Sequence, residues 1–260
     1  MNKILSKLPL VSALCSFTLL VSSPSHGLDW GASTPGDEVG NARALGAETW
    51  ARCAVQMTAP GAKSYELSHL RSNTMPKSPF GAPLEYSFRE TAGLPGSLHA
   101  FNGESVSGEH AAQGTQMDAL GHFGYLSEPW SGEGDFPADD ARYFGGFDQS
   151  EVKPNAASPL LKLGVENVPP IITSGLLLDA KAFVGKGERL APGALVTKAD
   201  IDGMLEAQGM AERGILPGDV VFIHTGWGEK WTDPMTDEEY YGMGPGLAYD
   251  AVQYIGELGV

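Results

Sequence analysis

Glycine and proline punctuate this chain so densely that its elements must be short and its connections numerous. There are 34 glycines and 18 prolines in 260 residues. Glycine readily takes backbone conformations that end regular structure, and proline removes a backbone donor. The stretch 72–100 is the extreme case and reads as a long loop with short extended pieces. A loop of that length in a globular chain is expected to be functional or packed over a site. The remaining composition, 42% hydrophobic and 19% charged, is that of a globular protein.

Between these breakers several elements are legible. Residues 46–57 carry apolar side chains at helical spacing. Residues 64–70, "SYELSHL", alternate and predict a strand. A further strand over 104–118 is expected to run into the polar stretch described below. "GLLLDAKAF" (175–183) predicts a buried strand, and "LPGDVVFIHTGW" (216–227) a turn followed by a strand. Thr197 and Asp200 form a capping-box pattern ahead of "ADIDGMLEAQG", with Gly209 as its stop. "GLAYDAVQYIGELGV" predicts a helix near the last residue. Helices and strands interleave without strict alternation, which gives an α/β class with a single mixed-sheet domain and long loops over one face.

Charge and the N-terminus narrow the setting. The net charge is −15, which makes nucleic acid and anionic membranes poor partners; a small-molecule substrate is expected, though the charge does not identify one. Lys3 and Lys7 precede the apolar run "LPLVSALCSFTLLVS", and "SPSHG" offers small residues for cleavage near Gly27. The run is short for a bilayer span of about 20 residues. The expectation is a signal peptide over 1–27, a domain over 28–260, and secretion, in the periplasm, with no membrane contact after cleavage. Cys15 falls in that signal. Cys53 is then alone, which excludes an internal disulfide, and it reads as a buried small hydrophobe.

The stretch "GEHAAQGTQMDALGHFGY" (108–125) concentrates His110, Gln116, Asp118 and His122 among small residues. On a strand, Gln116 and Asp118 share a face, and Gly121 allows a turn that returns His122. A carboxylate and an amide oxygen can ligate a divalent cation, and imidazole can ligate or act as a base. A cation-activated water beside a base is the requirement for attack on a carbonyl. The same spacing is also satisfied structurally, with Asp118 capping a turn, Gln116 bonding backbone and His122 an ordinary loop histidine. No Gly-x-Ser-x-Gly occurs, which weighs against a serine hydrolase, and no phosphate-cradling glycine loop is visible.

"GTQMDALGH" resembles the signature of the cyclase-type metal-dependent hydrolases, which include bacterial kynurenine formamidase and isatin hydrolase. Their pattern is His-x-Gly-Thr-His-x-Asp-x-Pro-x-His, and Gly114, Thr115, Asp118 and His122 match it in register. "SGLLLDAKAF", "LVTKADIDGMLEAQG" and "PGDVVFIHTGWGEKW" are similar to later elements of that family, and "WGASTPGDEVGNARAL" to its opening segment. The resemblance implies a zinc or manganese ion held by the first two pattern histidines and the aspartate, with the last histidine, here His122, as general acid/base. Three positions depart: Ala112 and Gln116 stand where ligand histidines are expected, and Leu120 where the proline is. Gln116 can serve through its amide oxygen, which favours the harder manganese. His110, two residues before Ala112, lies one strand repeat too far to replace it without a bulge. Family members also carry a His and a Glu beyond a helix like "AVQYIGELGV", so the chain is expected to be incomplete at its C-terminus.

The resemblance thus implies a hydrolase of amide or cyclic amide C–N bonds, or of an ester. It further implies a homo-oligomer, with metal ligands Gln116 and Asp118 and catalytic His122. The other reading is a metal- or small-molecule-binding periplasmic protein that has lost catalysis, motivated by the two replaced imidazoles. His224, Trp227 and Trp231 read either as packing residues or as pocket walls, and Asp237–Glu239 as a solvated charge run. His69 and His99 are given no role.

Overall fold

In the computed structural model the described residues are 34–110, 113–236 and 238–260. The signal-peptide reading, Ala112 and Asp237 lie outside them. Helix α1 covers Ala47–Met57. An antiparallel hairpin follows, β1 (Glu85–Gly93) and β2 (Ala100–Ser107), with a register shift between Arg89 and Ala92. After a loop-rich stretch containing the one-turn helix α2 (Gln149–Val152) come β3 (Gly175–Leu178), α3 (Ala180–Phe183), β4 (Leu195–Val196), α4 (Lys198–Ala207), β5 (Val220–Ile223), β6 (Gly246–Leu247) and α5 (Tyr249–Glu257). β3 pairs with β5 and β4 with β6, both in parallel. Parallel pairing requires a crossover, and the one from β3 to β5 runs through α3, β4 and α4. Among the described residues no helix is long and apolar enough to cross a membrane.

The main core is the product of that crossover. Leu176 and Leu178 alternate inward from β3, and Val196 comes from β4. Ile201, Met204 and Leu205 project from α4 at helical spacing, and Ala251 from α5. Ile201, Met204, Leu178 and Val196 are fully buried. α4 starts where the capping pattern places it: the Thr197 hydroxyl accepts from Asp200 N, and Asp200 Oδ2 accepts from Thr197 N at 2.8 Å. It ends at Gly209, whose φ of +68° is the left-handed stop that glycine allows. A second, smaller core of Phe147, Val152 and Leu163, with Leu120, Tyr143 and Leu160 against it, lies under the polar stretch.

Four expectations fail. Residues 64–70 form no strand, because the apolar side chains Tyr65, Leu67 and Leu70 find no surface and stay exposed. Residues 72–100 hold one strand of nine residues, β1, paired with β2, where only short extended pieces are expected. The strand ahead of the polar stretch ends at Ser107, so residues 113–119 are irregular. Cys53 is half-buried rather than buried.

Candidate active site

The irregular stretch 113–122 is held at three places, and its functional side chains hang between them. At its start Gln113 is fully buried, its Oε1 accepting from Ser78 N at 3.3 Å and its Nε2 donating to Ala82 O at 3.4 Å. Next, Thr115 Oγ1 accepts from His69 N (3.2 Å) and Thr115 O accepts from the Arg71 guanidinium (2.6 Å). Gly114 N donates to the Tyr241 hydroxyl at 3.3 Å. Burial pushes the Tyr241 phenol above its usual range, so it stays neutral in this contact. Gly114 has φ +89°, and a Cβ there would meet the Trp231 ring at 3.1 Å. Both facts restrict the position to glycine. Trp231 in turn stacks on the His69 imidazole, with centroids 4.7 Å apart and planes 8° from parallel.

The third fixing point is Gly121. Its N–H donates to Leu163 O at 3.1 Å, and a Cβ would press on Leu160, Leu163 and Lys162 O at 3.1–3.2 Å. This close approach docks the turn on the smaller core. His122 N closes the turn on Ala119 O at 2.9 Å.

Between the fixing points Gln116, Asp118 and His122 are exposed. All three line one cavity of about 500 Å³, together with Arg71, His110, Lys153, Tyr143 and Leu160. Gln116 Nε2 donates to Asp118 Oδ1 at 3.1 Å. That bond uses the amide nitrogen and one carboxylate oxygen, and no hydrogen bond from the described residues reaches Gln116 Oε1 or Asp118 Oδ2. Among the same residues, no three His, Cys, Asp or Glu side chains gather closely enough to hold a metal. Gln116 and Asp118 by themselves would fill only part of a cation's shell, and their oxygen chemistry would suit a hard ion that keeps much of its water, such as Mn²⁺ or Mg²⁺. Met117 and Asp118 also border a second, more apolar cavity of about 750 Å³, walled by Val39, Leu45, Leu120, Phe144 and Ile171 among others.

The strand argument that dismissed His110 does not apply, because β2 stops at Ser107 and His110 lines the cavity. Arg71 and Lys153 are also in its wall; they come from 45 residues before and 31 residues after His122's neighbourhood at Gln116 and His122, respectively, and no motif marks them. His224 lines neither cavity. Its Nδ1 lies 3.0 Å from Asp179 Oδ1 at the N-cap of α3. The Asp179 carboxyl is held below its usual range, first by the Ala182 N–H and then by His224 and Lys181. Trp227 donates its Nε1 proton to Tyr240 O at 2.9 Å, a packing role. Glu239 is solvated, as the charge run predicts, with a side chain 73% exposed, and it also pairs at 2.7 Å with the buried Lys230.

No curated protein matches the chain. A solved structure does: the crystal structure of a novel cyclase superposes with a TM-score of 0.68 at 26% identity, over 86% of this chain and 69% of that one. That likeness agrees with the mixed α/β architecture. Residues 65–260, which contain the whole wall of the 500 Å³ cavity, match the family profile for "Putative cyclase". The turn that carries Gly114, Asp118 and His122, the smaller core beneath it and this match together make the chain a member of the cyclase family, which points to an enzyme.

Proposed function

We propose that the chain is a metal-dependent hydrolase of amide or cyclic amide C–N bonds, acting with a divalent cation, manganese or zinc. The observation that carries this reading is the Gln116–Asp118 pair, 3.1 Å apart at the wall of a cavity that His122 shares. Gln116 Oε1 and Asp118 Oδ2 hold the cation. When bound, such a cation polarises a carbonyl and lowers the pKa of water toward 7. The remaining steps belong to the chain. Hydrogen bonds from His69 and Arg71 to Thr115, and from Gly114 N to the Tyr241 hydroxyl, keep residues 114–115 in place, so the carboxylate does not have to be ordered at the moment of reaction. His122 takes a proton from the attacking water at an imidazole nitrogen. It returns that proton to the leaving nitrogen as the C–N bond breaks, giving a carboxylic acid and an amine. A dimer or higher oligomer, and a periplasmic location after signal cleavage, belong to the same proposal.

The second reading is a metal- or small-molecule-binding protein without turnover. It is favoured by the absence of three gathered His, Cys, Asp or Glu ligands among the described residues. One experiment separates the two. The purified chain is loaded with Mn²⁺ or Zn²⁺ and offered a formanilide, an aryl lactam and an aryl lactone. The hydrolase reading expects turnover of at least one amide that EDTA abolishes and Mn²⁺ restores. Stoichiometric metal with no turnover of any of the three supports the second reading.

A further inference from the structure

We propose that Arg71 and Lys153 form an anion-binding subsite in the 500 Å³ cavity, so that the substrate carries a carboxylate beside its scissile bond. The proposal rests on the hydrolase reading for its substrate, and on the geometry alone for its ligand. The chain has 32 acidic against 17 basic residues, so its long-range field repels small anions. An anionic ligand then needs cations placed locally. Most of the cations near the two cores are already matched: Lys162 with Glu38, Lys198 with Asp202, Arg213 with Asp219, Arg142 with Asp148. Arg71 and Lys153 are not. Among the described residues no carboxylate lies within ion-pair distance of either, yet both line this cavity. The other ionisable groups in its wall are His110, His122, Asp118 and Tyr143, whose hydroxyl donates to Gln149 Oε1 at 2.5 Å.

Asp118 is the single carboxylate facing two fixed cations, and its free oxygen is the one assigned to the metal. The guanidinium spends one N–H on Thr115 O at 2.6 Å. That bond orients it and leaves further donors for a bidentate carboxylate. Lys153 follows the short helix α2, whose Val152 is anchored in the smaller core. Its backbone is thereby held at the cavity, and its exposed side chain supplies a second positive charge there.

The test compares formanilide with its 2-carboxy derivative, using the Mn²⁺-loaded full chain. The expected result is a kcat/KM at least about tenfold higher for the carboxylate, the worth of one charge-assisted hydrogen bond. Lys153→Gln is expected to erase most of that preference through a raised KM, and Lys153→Arg to restore it. Equal kcat/KM for the two substrates in the unaltered chain overturns the subsite. So does a preference that survives in both Lys153→Gln and Arg71→Gln. If neither substrate turns over, the hydrolase reading has failed and calorimetry decides the subsite by itself. Benzoate binding tighter than benzamide, and weakened in Lys153→Gln, upholds it. Equal or absent binding of the two overturns it.

Discussion

Replacing His122 by alanine is expected to lower amide hydrolysis by roughly 10²–10⁴-fold, the usual range for loss of a general acid/base. The fold should survive the change. His122 is exposed, and the ring contact it makes is edge-on with the adjacent Phe123, at 4.4 Å between centroids. What docks the turn is the backbone of Gly121 on Leu163 O and of His122 on Ala119 O, and neither bond involves the imidazole. Exposed substitutions of this kind alter stability by about 0.5 kcal/mol or less. Metal uptake should also persist, because the oxygens assigned to the cation are on Gln116 and Asp118. The diagnostic pattern is a lost kcat with retained Mn²⁺ binding and an unshifted thermal midpoint. A loss of less than about fivefold in kcat would remove His122 from the chemistry.

The second large effect is on stability. Asp219→Ala is expected to cost about 2–3 kcal/mol, from the lost charge-assisted hydrogen bonds and the backbone N–H left unsatisfied, while Arg213, 31% exposed, is partly solvated. The Asp219 side chain is fully buried. Its Oδ1 accepts from the Arg213 guanidinium at 2.9 Å, and Oδ2 accepts from a second Arg213 N–H and from Leu216 N at 2.8 Å. Arg52, on α1, approaches to 3.6 Å. Deleting the carboxylate leaves two guanidiniums near each other and an unpaired backbone N–H in the turn that launches β5. A domain stabilised by 5–15 kcal/mol cannot absorb that loss without a large shift in its urea midpoint. Arg52→Ala should cost far less, because its side chain is 27% exposed and Arg213 keeps the carboxylate paired.

The sequence was most informative where local chemistry and tertiary packing agree. α4 was legible because Thr197, Asp200 and Gly209 mark its ends and Ile201, Met204 and Leu205 mark its buried face. α1, β5 and α5 were legible for similar reasons. The hairpin strand β1 was not. It sits inside a Pro- and Gly-rich stretch, and nearly all of its residues are exposed, so no burial alternation marks it. "SYELSHL" shows the opposite error, since alternation without a partner surface makes no strand. In the candidate site, spacing singled out Gln116, Asp118 and His122, and the three line one cavity, although the reason given, a shared strand face, does not hold for an irregular stretch. Their approach depends on Gly114 and Gly121 meeting Trp231 and Leu163, contacts 117 and 42 residues away in the chain. Arg71 and Lys153 could not have been found from spacing, because only the fold brings them to the cavity.

A Mn²⁺ titration followed by electron paramagnetic resonance tests most directly whether the oxygens of Gln116 and Asp118 address one cation. The account predicts one tight site per chain, weakened at least about tenfold by Asp118→Asn and by Gln116→Ala, since changes even to groups supporting a ligand cost 10–100-fold. Manganese bound as tightly by both variants as by the unaltered chain would contradict it.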